Sequence, residues 1–366
     1  MNIKPSPYDL YEDLSKDAEK IYKHAIPPFK SIISKKKEYI QEELNSFVPV
    51  EPKKYTQDWK TYYQACRTEK LMFFRIIKDA VDYLVIENKY GFGRPSAFFS
   101  DIIKSLCIKS YHNLSTWRLE SELRLARSMG IIDNVYKKSC ISKYMNSEDV
   151  TEVLHELYKI IAEPLIPIET QYAADATGIG NAYKAKKWID VRLDKQEHKQ
   201  YNKLHILSGT LTNTIIAAKI TEGIRHESPI FKDLMVGVKR FKVKEISADA
   251  GYLSRKNCEL IQDSGAMPYI LPKKNVTSYS KGSGTAWQNM IRLWKKHQML
   301  FASHYHRRSN VESTFGMLKR KWGDFCRCKL PMTQENEILA RIICHNAAVL
   351  SEAMLSNDLE LKFMDS

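Results

Sequence analysis

The chain has 366 residues, 43% hydrophobic and 27% charged, the proportions of an ordinary soluble globular protein. No run approaches the roughly 20 apolar residues needed to span a bilayer, and the polar start MNIKPSPYDLYEDLSKDAEK has no apolar core of a signal peptide, so neither membrane insertion nor export is expected. A net charge of +14 favours a polyanionic partner, while seven scattered cysteines, an odd number, argue for reduced thiols over a disulfide framework.

Residues 8–45 mix charge with spaced apolar residues and predict one or two amphipathic helices, broken by the prolines of VPVEPKKY (48–55). EKLMFFRIIKDAVDYLVIE (69–87) predicts a helix with Leu71, Phe74, Ile77, Val81 and Leu84 facing a core. Residues 88–110 read as a glycine turn, Pro95 near a helix start, and a further amphipathic helix. In 113–130, Ser115 is the expected N-cap, Leu119, Leu123 and Ala126 point inward, and Gly130 is the stop. Asn146 or Ser147 caps a helix with Val150, Val153, Leu154 and Leu157 on one face, ended by Pro164 and Pro167. The first 165 residues are therefore expected to be all-helical. KKSCISKYMNS (137–147) is a candidate DNA-recognition segment, or an ordinary helix connection.

The period then changes. TQYAADAT (170–177), KLHILSGT (203–210), TIIAAKITEG (214–223), KEISADAG (244–251) and MPYILP (267–272) are short β-branched or alternating runs, the second and third joined by a hairpin. Residues 228–238, 254–265 and 287–299 read as helices, and SYSKGSGT (278–285) as an exposed loop. Strands alternating with helices imply a mixed sheet covered by helices, an α/β fold.

Two acids stand at strand ends. Asp175 in YAADATGIG and Asp249 in ISADAGY are each flanked by alanine and followed by a small-residue turn, which leaves open space beside a carboxylate. Either alone is an ordinary strand-end Asp, and their similar contexts set the pair apart. A third acid, Glu312, is the only carboxylate between Asp263 and Asp324, in the basic stretch HYHRRSNVESTF. On one helix over 305–322, Tyr305, Arg308, Glu312 and Lys319 fall on a stripe about 60° wide. Val311, Phe315, Leu318 and Trp322 make an apolar flank beside it. The bland alternative for the polar edge is a solvated ion pair between Arg308 and Glu312.

The order Tyr305, Arg308, Glu312, Lys319 resembles, spacing for spacing, the Y-R-E-K signature of insertion-sequence DDE transposases, the group typified by insertion sequences four and five. ADATGIG resembles that family's first-Asp block, and ISADAGYLS its second, with Asp249, Gly251 and Tyr252 in place. The resemblance covers about residues 170–350 and implies a ribonuclease-H-like core, a mixed sheet flanked by helices, in which Asp175, Asp249 and Glu312 converge. It implies a catalytic, metal-binding triad holding Mg²⁺ or Mn²⁺, two ions in all, because hard carboxylate oxygens suit such cations and two of them can drive in-line phosphoryl displacement. Tyr305, Arg308 and Lys319 are then DNA-contacting residues. The implied partners are double-stranded DNA at terminal inverted repeats and target sites, and a second copy in a homodimer on paired ends. The place is the cytoplasm, at the nucleoid. The expected organisation is a helical N-terminal region (1–165) that recognises DNA ends, a catalytic domain (166–352) and a short tail (353–366). The alternatives are a catalytically silent DNA-binding protein of transposase origin, and a related nuclease without strand transfer.

The interval from Asp249 to Glu312 leaves no room for the large β-rich insertion some relatives carry there. The Lys-rich stretch 183–203 is a DNA-facing arm or a solvated loop, and Trp287, Trp294 and Trp322 are either base-stacking groups or core, core being the better reading for the last two. CRC (326–328) with Cys344 and His345 lacks zinc-finger spacing and reads as reduced structural cysteines. His226 in GIRHESPIF either lies near the site or simply begins a helix.

Overall fold

The first described element, α1 (Trp59–Tyr83), buries Phe73, Phe74, Ile76, Ile77, Ala80 and Val81 at three- and four-residue intervals. The structure is a computed structural model that describes residues 59–84, 86, 96–180, 201–273, 276, 284–357, 359 and 361. The expectations for residues 8–55, for the turn and Pro95, for the Lys-rich stretch at 183–200 and for most of the loop at 278–285 lie outside the described residues. Helix α1 begins ten residues before the expected start. Leu71 is a correction: it is 62% exposed, because the buried stripe centres on Phe73, Ile76, Ile77 and Ala80 and Leu71 falls beyond its edge.

Helix α2 (Phe99–Tyr111) was expected to be amphipathic but is buried from Asp101 to Ser110, wrapped by its neighbouring helices. Its polar groups find partners. Asp101 accepts backbone N–H bonds from Asp133 and Asn134 at 3.1 and 2.9 Å, and Lys104 pairs with Asp82 of α1. Helix α3 (Leu119–Ser128) buries Leu119, Leu123 and Ala126 and stops before Gly130, whose φ of +70° suits glycine. Ser115 caps the turn ahead of it. The short α4 (Lys138–Tyr144) is followed by α5 (Glu148–Ala162), which buries Val150, Leu154 and Leu157. A 3₁₀ turn at Glu163–Leu165, containing Pro164, ends α5.

All five expected strands form: β1 (Gln171–Gly180), β2 (Tyr201–Gly209), β3 (Ile215–Glu222), β4 (Glu245–Ala248) and β5 (Met267–Ile270). Their order is β3-β2-β1-β4-β5. The first three pair antiparallel, β2 and β3 through the expected hairpin, while β4 joins β1 in parallel and β5 joins β4 in parallel. Helix α6 (Glu227–Leu234) bridges β3 to β4, and α7 (Arg255–Asp263) bridges β4 to β5. After β5 come α8 (Thr285–Lys296), α9 (Gln298–Tyr305), α10 (Ser309–Trp322) and α11 (Pro331–Asn357). Among the described residues no strand lies between β5 and α10.

Successive residues of β1 serve opposite faces, as the pleat requires. Ala173 and Ile179 join a core with α1–α5, α10 and α11, while Tyr172 and Ala174 join one with α6–α9. This mixed sheet with helices on both faces is ribonuclease-H-like. By length and composition α11 is apolar enough to cross a membrane, but 78% of that stretch is buried inside the fold, so it is a core helix. Its polar side chains fasten neighbours: Asn346 accepts from Ile215 N–H at 2.9 Å and donates to the carbonyls of Ile215 and Tyr158.

Candidate active site

Strand register puts the two aspartates side by side. Ala174 pairs with Ala248 across the parallel β1–β4 ladder, so Asp175 and Asp249 are the next residue on each chain segment. Here β1 runs on against β2, while β4 ends and turns into a 3₁₀ segment, Ala250–Tyr252. That is the carboxyl end of a parallel pair, where open α/β sheets form crevices. Each Asp is oriented by its following residue: Asp175 Oδ1 accepts from Ala176 N–H at 2.8 Å, and Asp249 Oδ1 from Ala250 N–H at 2.7 Å.

The segment with Glu312 differs from the single helix expected over 305–322. Tyr305 ends α9, His306–Arg308 form a 3₁₀ turn, and α10 starts at Ser309. The break has a packing cause. The Tyr305 ring stacks on Phe301 in the α6–α9 core, whereas Val311, Phe315, Leu318 and Trp322 of α10 pack into the core on the other face. One straight helix cannot serve both faces of the sheet. The apolar flank of α10 is as expected.

Arg308, at this turn, joins two of the acids. Its Nη1 lies 2.8 Å from Asp175 Oδ2 and its Nη2 3.3 Å from Glu312 Oε1. Asp175 is largely covered, while Glu312 stands 64% exposed on the rim. Burial does most to raise the Asp175 pKa, with Glu227 and Asp249 adding to it, while the Ala176 N–H and the Arg308 charge pull it down. Burial also raises the Tyr305 pKa against the pull of Arg308, to which Tyr305 is hydrogen-bonded. Tyr305, Arg308, Asp175 and Asp249 thus form one electrostatic cluster, and Glu312 reaches it through Arg308. Among the described residues no three His, Cys, Asp or Glu side chains are gathered closely enough to hold a metal ion as they stand.

Lys319 sits further along β1, its Nζ donating to Thr177 Oγ1 at 2.6 Å. Beyond α10 the chain runs beside the end of β1, where Gly180 N–H donates to Asp324 O and Cys326 N–H to Gly180 O. Three other basic side chains of this stretch have acidic partners in the fold. His304 Nδ1 lies 2.7 Å and Arg307 Nη1 3.5 Å from Glu245, at the start of β4. Lys321 pairs with Glu69 of α1.

Trp287 is a correction: it is buried in the core beside α7, so it offers no face to a base. Trp322 is also core, and Trp294 is partly buried. All seven cysteines are free, and Cys326 and Cys344 are buried, their thiol pKa values raised by desolvation. His226 is exposed ahead of α6, and its neighbour Glu227 is the acid felt at Asp175. Neither periodicity nor spacing in the sequence marks Glu227. In the candidate recognition segment, Lys137 and Lys143 are exposed and Lys138 Nζ lies 3.5 Å from the centre of the exposed Trp117 ring.

Residues 167–347 match the family model described as transposase DDE domain. Comparison with curated proteins and comparison with solved structures each gave no match. The matched span begins just before β1, contains all five strands and α6–α10, and ends within α11. Strand order, the neighbouring aspartates and the matched span agree: over residues 167–347 the chain carries a transposase DDE domain.

Proposed function

We propose that this protein is a DNA transposase that cleaves transposon ends and transfers the strand into target DNA, with Asp175, Asp249 and Glu312 as its catalytic and metal-binding carboxylates. The observation that carries the reading is the β1–β4 register, which sets Asp175 beside Asp249 at the carboxyl end of parallel strands, with Glu312 tied to Asp175 through Arg308. The donor set suits a hard divalent cation. All three groups are carboxylates, and the covered Asp175 feels the charges of Glu227 and Asp249 as well as that of Arg308. Held by Asp175, Asp249 and Glu312, Mg²⁺ or Mn²⁺ would supply charge stabilisation at the scissile phosphate and would make the attacking water or hydroxyl more acidic.

The chain's own residues do the rest. Asp175 and Asp249 are held by the N–H groups of Ala176 and Ala250, which limits their reorientation when a cation arrives. Arg308 is the resting counter-charge of Asp175 and is close enough to turn to a phosphate oxygen once that charge is supplied otherwise. Tyr305 lines the same cluster and contacts the DNA backbone or a displaced base, and Lys319, beside Thr177, meets a phosphate further along the strand. The helical region up to residue 165 recognises the DNA ends, and two copies act together on paired ends. The group with the Y-R-E-K signature remains the best subfamily assignment, since Tyr305, Arg308 and Lys319 all lie along β1 or its cluster.

The test is divalent-dependent cleavage of a duplex made from the DNA flanking the coding sequence. Asp175→Asn, Asp249→Asn and Glu312→Gln are each expected to abolish cutting while leaving duplex binding intact. Wild-type cutting by any one of them removes that residue from the triad.

A further inference from the structure

Glu227 opens α6, on the crossover from β3 to β4, and belongs to none of the elements that carry the three acids above. Its carboxylate lies beside the turn that follows Asp249: a β-carbon added at Gly251 would stand 2.4 Å from Glu227 Oε2. A side chain at residue 251 would displace that carboxylate from its place beside the turn. Further ties fasten the same helix start to the same turn. The Asn257 side-chain amide donates to the Tyr252 carbonyl at 2.7 Å and is shared with the Ser228 carbonyl and hydroxyl at 3.1 and 3.2 Å. Phe231 of α6 packs edge-on to the Tyr252 ring, whose hydroxyl lies 3.3 Å from Nδ1 of the buried His205. Glu227 is itself held from β2 by Lys203, with Nζ 2.8 Å from Oε1.

These contacts make one assembly. Strand β2 holds Glu227, Glu227 and its neighbours hold the turn at 250–252, and the turn begins at Asp249. The negative charge of Glu227 is also felt at Asp175 and at Tyr252. An ion pair serving only to join β2 to α6 needs no close approach to Gly251.

We infer that Glu227 is a positioning residue of the carboxylate site: it braces Gly251 so that Asp249 stays beside Asp175, and it adds a fixed negative charge that favours a divalent cation there. The inference rests on reading Asp175 and Asp249 as metal-binding residues. Glu227 need not touch the cation, because it acts through the position of Asp249 and through the field at Asp175. Carboxylates that act in this way typically change metal affinity about 10- to 100-fold.

The experiment is a Mn²⁺ titration of the full chain followed by electron paramagnetic resonance, with thermal melting and duplex binding measured beside it. Glu227→Gln keeps the shape and removes the charge. It is expected to weaken Mn²⁺ binding about tenfold, to leave melting and duplex binding at wild-type values, and to cut normally again at raised Mn²⁺. Glu227→Asp keeps the charge but withdraws it from Gly251, and is expected to fall between wild type and Glu227→Gln. Wild-type Mn²⁺ affinity in Glu227→Gln overturns the inference, and so does wild-type affinity in Glu227→Asp if Glu227→Gln fails to fold. Asp175→Asn and Asp249→Asn are titrated in parallel. If they lose Mn²⁺ while Glu227→Gln does not, the role of Glu227 alone is wrong. If they too bind Mn²⁺ as the wild type does, the metal-binding assignment fails with it.

Discussion

Arg308 holds Asp175 at 2.8 Å with one guanidinium nitrogen while the other, 3.3 Å from Glu312, reaches across to α10. A single cation thus joins two acids that come from a strand and a helix far apart in the chain.

On the proposed function, Arg308 and an incoming metal ion would compete for Asp175, whose Oδ2 Arg308 already holds. Arg308→Met is expected to raise Mn²⁺ affinity in the absence of DNA several-fold and yet to lower cleavage about a hundredfold, because the phosphate loses its guanidinium. Isothermal titration with Mn²⁺ and a cleavage assay on one preparation check both halves. A variant that binds Mn²⁺ no better than wild type speaks against competition.

Lys319 has a neutral partner in Thr177, so its charge is available to DNA. Lys319→Met is expected to weaken duplex binding about equally for all sequences and to reduce the slope of log affinity against log salt by about one. Fluorescence anisotropy at several salt concentrations measures the slope, and an unchanged slope means that Lys319 meets no phosphate.

Two histidines make stability depend on pH. His345 is buried with Nε2 donating to the Asn213 carbonyl at 2.8 Å, and His205 is buried between Tyr252 and Thr221. Burial pushes both down to about 4. Between that value and the ordinary histidine value near 6.5, the unfolded chain binds more protons than the folded one. Stability from these groups is therefore complete above about pH 6.5 and falls as pH drops towards 4, by at most about 1.4 kcal/mol per pH unit for each histidine. Urea unfolding from pH 7 to 5 reads the slope, which His345→Gln is expected to lessen by about half.

Glu337 anchors the chain where it leaves α10. Its carboxylate accepts the N–H groups of Arg327 and Cys328 and pairs with the buried Arg341. Although burial alone would raise its pKa, Arg341 and these hydrogen bonds hold it below the usual glutamate value. Glu337→Ala leaves Arg341 buried without its partner and is expected to cost about 3–5 kcal/mol. Because the segment it holds runs beside Gly180 at the end of β1, cleavage is expected to fall as well. Chemical denaturation gives the first value, and a loss below about 1 kcal/mol would mean that Arg341 finds other partners.

Much of this arrangement was legible before folding was considered. The five strands and the helices α1–α3 and α5–α7 announce themselves through periodicity, caps and breakers, because each depends on residues close in sequence. Asp175 and Asp249 stood out because an Asp among alanines at a strand end is locally costly, and Glu312 because it interrupts a long basic run. Less visible were features set by distant neighbours. Leu71 has the spacing of a core residue but lies past the edge of the stripe that α2, α5 and α11 cover. Trp287 reads as an exposed aromatic until α7 is packed beside it.

What the sequence determined by itself is most of the elements and the positions of the three candidate acids, since pleat, helix period and turn chemistry act over a few residues. What the tertiary structure decided is how those acids meet. The β1–β4 register alone sets Asp175 against Asp249, and the demands of two cores on opposite faces of the sheet break the helix between Tyr305 and Glu312. That break turns Arg308 towards Asp175, and the crossover through α6 brings Glu227 to Gly251. Each of these is a contact between segments far apart in the chain, and such contacts are chosen by the packing of the whole sheet and its helices.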